Sequence, residues 1–176
     1  SANPAEIIRV DHGGLAFHGG LLGGVVSSWI YCKIKNMHWP FLLDLAVPGI
    51  ALGIILIRVA NIFNHEILGR ETALLPFDRH PTQIYGSLIG LALLLIHNYL
   101  ARRRAYGAGS LFWYFVLFYS LLRGLIEETF RENPLALWGY VNEVLGIGFF
   151  TAVHLLTPIL VLLAWWMIRR INPQKE

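Results

Sequence analysis

Five long apolar runs constrain the fold of this chain more than any other feature. They cover about residues 15–34, 41–63, 83–100, 110–129 and 145–168. Each is close to the roughly 20 residues that an α-helix needs to cross a hydrocarbon core about 30 Å thick. The 176 residues are 56% hydrophobic and only 14% charged, which is too apolar for an ordinary water-soluble domain. The sequence therefore predicts an all-α polytopic membrane bundle of about five transmembrane helices, forming one integral-membrane domain over residues 1–176.

Basic residues give the predicted membrane orientation. Clusters of lysine and arginine follow the first, third and fifth runs, at Lys33 and Lys35, at residues 102–104, and at Arg169, Arg170 and Lys175. Five alternating spans place these clusters on one side, which the positive-inside rule makes the cytoplasm. The short clusters indicate membrane orientation and not nucleic-acid binding. Most of the unusual polar residues then fall at the outer face, where they predict a polar chamber.

The second run ends in the densest group of polar side chains. On a helix, Arg58, Asn61 and His65 share one face. A guanidinium there can hold a phosphate bidentately, and the amide adds donors and acceptors for a headgroup. The structural alternative is a snorkelling interfacial arginine with capping Asn and Gly residues. So many intramembrane polar groups exceed what capping requires, which favours a functional site.

The fourth run repeats this pattern. Tyr119, Arg123 and Glu127 lie at i, i+4 and i+8 and predict a second polar helix face. Arg123 and Glu127 either form an ion pair that presets the arginine donors or neutralise each other inside the bundle. Glu128 and Arg131 lie nearer the outer end and are open to interpretation as ordinary rim charges.

Two histidines and one aspartate mark the ends of runs. His18 enters the first run within a glycine-dense segment and suits a proton acceptor for a thiol or hydroxyl, although spacing alone favours a structural histidine. His80 precedes Pro81, which is placed as the first helical residue of the third run. Asp44, near the inner end of the second run, is interpreted as structural.

Five motifs occur in a fixed order. They are His-Gly-Gly-Leu at 18–21, Asp-x-Ala-x-Pro at 44–48, a G-R-x-G-N-F-x-N-x-E-x-x-G-like signature at 57–69, an H-P-x-Q-L-Y-E-like element at 80–86, and an R-x-x-x-E pair at Arg123 and Glu127. As an ordered set over about residues 12–134, they resemble the prolipoprotein diacylglyceryl transferase family of bacterial lipoprotein maturation. Each motif alone is weakly specific.

The resemblance implies a multi-pass enzyme of the bacterial inner membrane, with its active face toward the outer side and a cytoplasmic C-terminus. It would move the diacylglyceryl group of phosphatidylglycerol to the lipobox cysteine thiol of a preprolipoprotein and release glycerol phosphate, without metal or other cofactor. His18 would be the base, and Arg58 and Arg123 would stabilise the departing phosphate. The implied substrate-binding residues are Asn61, Asn64, Glu66, Gly69, His80, Gln83, Tyr85 and Glu127.

The chain also departs from the family pattern. Ile57 and Ala60 replace family glycines, Gly86 replaces a glutamate, and Arg131 lies one position beyond the family's next arginine. The connection over 69–80 is shorter than the family's periplasmic head. Two N-terminal spans of the family, including a functionally important tyrosine, are missing, which predicts a trimmed or divergent member.

Two other functions compete with this one. A non-catalytic relative would bind or move anionic phospholipid headgroups with the same arginines, but the inner halves of the runs carry few of the polar residues that a through-path needs. A membrane metalloenzyme would use His18, His65, His80 and Glu66 as ligands. The chain lacks the H-x-x-x-H spacing typical of helical metal sites.

Overall fold

Helices dominate the computed structural model, which describes residues 14–76, 78–103, 106–133 and 135–172. The elements, in chain order, are α1 (Gly14–Lys35), α2 (Trp39–Phe63), α3 (Thr82–Arg103), α4 (Ser110–Leu122), a π-helical turn (Arg123–Glu127), α5 (Glu128–Phe130), β1 (Leu135–Asn142), β2 (Ile147–Thr151) and α6 (Ala152–Ile171). The chain divides into two units, residues 1–39 and 40–176, which are described separately.

Four helices within the described residues are long and apolar enough to cross a membrane. They are α2, α3, the continuous helix Ser110–Phe130 and α6. These four match the second to fifth predicted spans, and the prediction of a polytopic helical membrane bundle is confirmed. The first predicted span lies on α1, a helix of 22 residues. Its crossing of the membrane stays a prediction, as does the single domain over the whole chain.

A β-hairpin occupies residues where the sequence predicted a connection and the start of the last span. β1 and β2 pair antiparallel, with Tyr140 opposite Phe149 and Asn142 opposite Ile147. Gly146 turns the chain at a φ of +62°, in the left-handed region that favours glycine. The last helix therefore begins at Ala152 instead of Leu145.

The core of the second unit lies where α2, α3 and α4 meet. Ala51, Ile89 and Leu93 are buried there, and aromatic residues of α4 pack against them. The ring of Tyr119 stacks on that of Phe115 with centroids 5.7 Å apart and belongs to this apolar cluster. The predicted polar face of the fourth span is therefore wrong at Tyr119, because the ring fills the helix interface.

Asp44 joins the start of α2 to the start of α4. Its carboxylate oxygens accept hydrogen bonds from the backbone N–H groups of Gly109 and Phe112, both at 2.7 Å. Gly109 is the N-cap residue of α4 and Phe112 lies in its first turn, where a helix leaves N–H donors unsatisfied and where negative charge is favourable. The structural interpretation of Asp44 is thus confirmed.

Candidate active site

A buried ion pair joins α2 to the π-helical turn. Nη2 of Arg58 donates to Oε1 of Glu127 at 2.5 Å. Only 7% of Arg58 and 1% of Glu127 are exposed. Removing two charges from water is costly, so such a pair persists only with good geometry. The pair fixes the guanidinium near the C-terminal end of α2, where the sequence predicted a phosphate-binding group.

Gly86 of α3 makes room for the arginine. A Cβ atom at this position would lie 2.5 Å from Nε and 2.7 Å from Cδ of Arg58. A side chain at position 86 would therefore compete with Arg58 for the same space. Nε of Arg58 is itself buried, and no acceptor within the described part of the chain binds it. The arginine thus keeps a free donor inside the bundle.

The π-helical turn decides which arginine Glu127 meets. The N–H of Glu128 donates to the carbonyl of Arg123, five residues back, which defines a π-bond in place of the usual α-bond. The turn includes Gly124, where a Cβ would lie 2.0 Å from Oγ1 of Thr157 on α6. The predicted pairing of Arg123 with Glu127 is wrong, because the carboxylate of Glu127 turns to Arg58 instead.

The pKa of Arg131 is affected by four other charged residues at this end of the bundle. Burial lowers its pKa from the ordinary value, the positive charges of Arg123 and Arg58 lower it further, and the carboxylates of Glu127 and Glu128 raise it. Three arginines and two carboxylates thus share one end of the bundle. We call this group of five the charged cluster. Its surplus positive charge suits an anionic ligand.

The loop after α2 leaves the helix earlier than the sequence predicted. α2 ends at Phe63, and His65 and Ile67 adopt positive φ angles of 53° and 57°. The exposed His65 therefore does not share a helical face with Arg58 and Asn61, as its spacing had predicted. Positive φ is rare for a β-branched residue such as Ile67 and marks a held, strained loop.

Side chains at the start of α3 hold this loop. Gln83 donates from Nε2 to the carbonyl of Glu66 at 2.8 Å, and Thr82 donates from Oγ1 to the carbonyl of Ile67 at 2.6 Å. The side chains of Asn64 and Glu66 are exposed. Of these predicted substrate-binding residues, Gln83 therefore contacts the loop backbone, whereas Asn64 and Glu66 leave their side chains free at the surface.

Gly69 lies where two backbone segments nearly touch. It pairs with Arg131 in an antiparallel bridge, and a Cβ at this position would lie 2.0 Å from the carbonyl oxygen of His80. Any other residue would push the segments apart. Gly69 thereby holds the backbone of Arg131, a member of the charged cluster.

His80 connects α3 to the hairpin. Its Nε2 lies 2.9 Å from the carbonyl oxygen of Leu145, and its Nδ1 lies 3.1 Å from the hydroxyl of Tyr85. A carbonyl can only accept, so Nε2 carries a proton and, in the neutral ring, Nδ1 accepts from the Tyr85 hydroxyl. The ring of Phe130 packs 4.5 Å from the imidazole centroid. The two predicted binding residues are brought together, and both contact the protein itself.

Comparisons with known proteins complete this description. The family model described as prolipoprotein diacylglyceryl transferase matches residues 1–170. A protein from Thermoanaerobacter sp. named phosphatidylglycerol–prolipoprotein diacylglyceryl transferase is 44% identical over 176 residues, covering 99% of this chain and 68% of that protein. One of the same name from Thermus thermophilus is 38% identical over 204 residues, covering 97% of this chain and 72% of that protein.

This chain belongs to the prolipoprotein diacylglyceryl transferase family.

Two departures from the prolipoprotein diacylglyceryl transferase pattern lie beside Arg58 and at the π-helical turn. Gly86 accommodates the side chain of Arg58. The one-residue displacement of Arg131 coincides with the π-helical turn at Arg123–Glu127, and a π-turn is how a helix absorbs one extra residue. Glu128 follows this turn and is a second buried carboxylate at this end of the bundle.

The sequence interpretation missed Glu128. The sequence left Glu128 open to interpretation as a rim charge, yet only 1% of this residue is exposed. Its Oε1 accepts from Nδ2 of Asn133 at 2.7 Å, and its Oε2 is buried without a donor from the described residues. The signal that points to Glu128 is the offset of Arg131, because an extra residue within a helix shifts which side chains face inward.

Two further predicted site residues, Asn61 and His18, lie on α2 and α1. Asn61 lies one turn beyond Arg58 on α2 and is buried. His18 belongs to α1, and its side chain lies outside the described residues. No cluster of three or more potential metal ligands occurs within the described part of the chain. The roles of all the predicted site residues stay predictions.

Proposed function

We propose that this chain transfers the diacylglyceryl group from phosphatidylglycerol to the lipobox cysteine thiol of a preprolipoprotein. A new bond forms between the thiol sulfur and the terminal glycerol carbon of the diacylglyceryl group. The bond from that carbon to the phosphate oxygen breaks, glycerol phosphate leaves, and the thiol proton passes to a base. The names of the relatives at 44% and 38% identity support this reaction.

The charged cluster is the observation that carries the proposal. A phosphodiester bears one negative charge, and the departing phosphate monoester bears more. Groups that are fixed in advance around developing charge lower the barrier because they need not reorganise. Arg58 is fixed by its ion pair with Glu127, and Arg123 and Arg131 lie in the same cluster. We assign Arg58 and Arg123 to the phosphate.

The other roles follow the positions of the residues. Asn61 offers a buried amide beside Arg58 for the headgroup. Gln83, His80 and Tyr85 act through the loop and hairpin that they hold, and Asn64 and Glu66 border the site from the loop. We assign the proton acceptor to His18, because an ordinary imidazole takes up protons near neutral pH.

The membrane setting follows from the same cluster. The chain is a multi-pass membrane protein, with four helices able to span the bilayer among its described residues. We place the charged cluster at the outer side and the C-terminus in the cytoplasm, because Arg102 and Arg169 lie in the last turns of α3 and α6, at the ends opposite to the cluster. A lipobox segment would then reach the site from the outer surface.

Transfer of labelled diacylglyceryl from phosphatidylglycerol to a lipobox peptide tests the proposal. Arg58→Ala and Arg123→Ala should each reduce the rate by about 10²- to 10³-fold, as expected for loss of one preorganised charge-stabilising group. Arg102→Ala, an exposed arginine at the inner end of α3, is the matched control and should leave the rate unchanged. Headgroup binding without any transfer by the unaltered chain would instead favour the non-catalytic relative.

A further inference from the structure

Glu128 has one carboxylate oxygen with no donor. Oε1 is held by the amide of Asn133 at 2.7 Å, but Oε2 is buried and receives no hydrogen bond from the described part of the protein. A buried acceptor without a donor costs free energy, so native proteins rarely leave one unless a ligand or function requires it. With 1% of the residue exposed, bulk water cannot supply the missing donor freely.

The neighbouring carboxylate is already occupied. Glu127 binds Arg58 through Oε1, and the π-bond from Glu128 to Arg123 places the two glutamates side by side at the end of the helix. Consecutive helical side chains point about 100° apart. Both are nevertheless fully buried, so the two carboxylates serve different partners. Glu127 is paired with Arg58, whereas Oε2 of Glu128 remains available to accept a hydrogen bond from a ligand.

A complementary donor is also unused. Nε of Arg58 is buried without an acceptor in the described residues. The charges of Arg58, Arg123, Glu127 and Glu128 all act on the pKa of Arg131, so the free donor and the free acceptor belong to residues at the same end of the bundle. A ligand that satisfies both must carry an anionic oxygen and, beside it, a hydrogen-bond donor.

Charge decides what kind of donor fits. Three arginines against two carboxylates leave the cluster with surplus positive charge, which repels a further cation such as an ammonium headgroup. A neutral hydroxyl avoids this repulsion. A phosphate ester of a polyol supplies both the anionic oxygens and the hydroxyl donors.

We propose that Glu128 is a specificity-determining residue that accepts a hydrogen bond from a hydroxyl of the headgroup glycerol. This inference rests on the proposed function for the identity of the lipid, phosphatidylglycerol. Arg58 and its neighbours hold the phosphate, and Oε2 of Glu128 distinguishes a headgroup with hydroxyls from one without. The π-helical turn makes this possible, because it brings one carboxylate for Arg58 and another for the substrate into the same site.

Two lipids that differ only in these hydroxyls provide the test. Binding of phosphatidylglycerol and of phosphatidylpropanol with the same acyl chains is measured on the purified chain in micelles, and transfer is measured separately. The unaltered chain should bind phosphatidylglycerol about 10- to 100-fold more tightly, the range expected for one hydrogen bond to a charged acceptor. Glu128→Gln should reduce this ratio to near one, because its NH₂ group replaces the acceptor while Asn133 holds the amide oxygen.

Matched variants separate recognition from folding. Glu132→Gln changes an exposed glutamate four residues away and should keep the wild-type ratio. Glu128→Asp retains the carboxylate and should keep part of the preference, which provides a second measurement if Glu128→Gln does not fold. The inference is overturned if Glu128→Gln weakens binding of both lipids by the same factor, because the ratio of the two affinities is then kept. It is also overturned if the unaltered chain binds the two lipids equally well. A clear preference in binding with no transfer sustains it and rejects the proposed function instead.

Discussion

The side chain of Arg58 lies against the backbone of Gly86, so closely that a Cβ atom there would approach Nε to 2.5 Å. The absence of a side chain on α3 is thus part of the geometry that places the guanidinium. Gly86→Ala should displace Arg58 and slow diacylglyceryl transfer by about 10²-fold, the loss typical of a displacement near 1 Å in a catalytic group. Transfer kinetics on the purified variant check this.

Gly53→Ala is the control for that substitution. Gly53 is a helical glycine of α2 around which a Cβ would meet nothing within 4 Å. It should retain wild-type transfer and become slightly more stable, since alanine favours helices over glycine. Equal rates for the two variants would show that Arg58 adapts to a larger neighbour without loss.

The Arg58–Glu127 pair should show strong coupling in stability. Glu127→Gln leaves the buried guanidinium without its counter-charge and should destabilise the protein by about 3–5 kcal/mol. Arg58→Met should cost a similar amount, and the double variant should cost less than the sum because neither charge is then left alone. Reversible unfolding in mixed micelles measures all three. Strictly additive losses would contradict the importance of the pair.

Much of the fold could be predicted from the sequence because a membrane solvent leaves few choices. Long apolar runs must form helices to satisfy their backbone groups, and α2, α3, the Ser110–Phe130 helix and α6 follow the predicted runs. The hairpin before α6 could not be predicted this way. Residues such as Phe149 and Phe150 are as apolar as a membrane helix, and hydropathy does not separate strand from helix over short runs.

The candidate site was predictable in its residues but not in its pairings. The motifs identify Arg58, Gly69 and Glu127, which the structure places around one end of the bundle. The pairing of Glu127 with Arg58 depends on the π-helical turn, and i, i+4 spacing assumes an unbroken α-helix. Glu128 was missed for the same reason, because one inserted residue changes which side chains face inward.

Tyr85→Phe distinguishes a positioning role from a binding role. The hydroxyl of Tyr85 lies 3.1 Å from Nδ1 of His80, which needs a donor while Nε2 donates to Leu145. Its removal should lower the free energy of unfolding by about 1 kcal/mol. The KM for phosphatidylglycerol should stay unchanged, because the hydroxyl is engaged by the protein. A raised KM at unchanged stability would support the substrate-binding role that the family resemblance implies.

Asp44→Asn should weaken the contact between the starts of α2 and α4 and leave the chemistry intact. An amide can accept from Gly109 or Phe112 through its single oxygen, but its NH₂ group faces the other N–H, and the favourable negative charge at the start of α4 is lost. We expect a loss of about 1–2 kcal/mol, comparable to removal of a helix N-cap. Unfolding measurements check this, with Asp78→Asn as the control at an exposed position.

Transfer per folded molecule should stay at the wild-type value, because Asp44 acts on the packing of α2 against α4 at the end opposite to the charged cluster. Equal stability of Asp44→Asn and the unaltered chain would show that the two short hydrogen bonds contribute nothing net to holding these helices together.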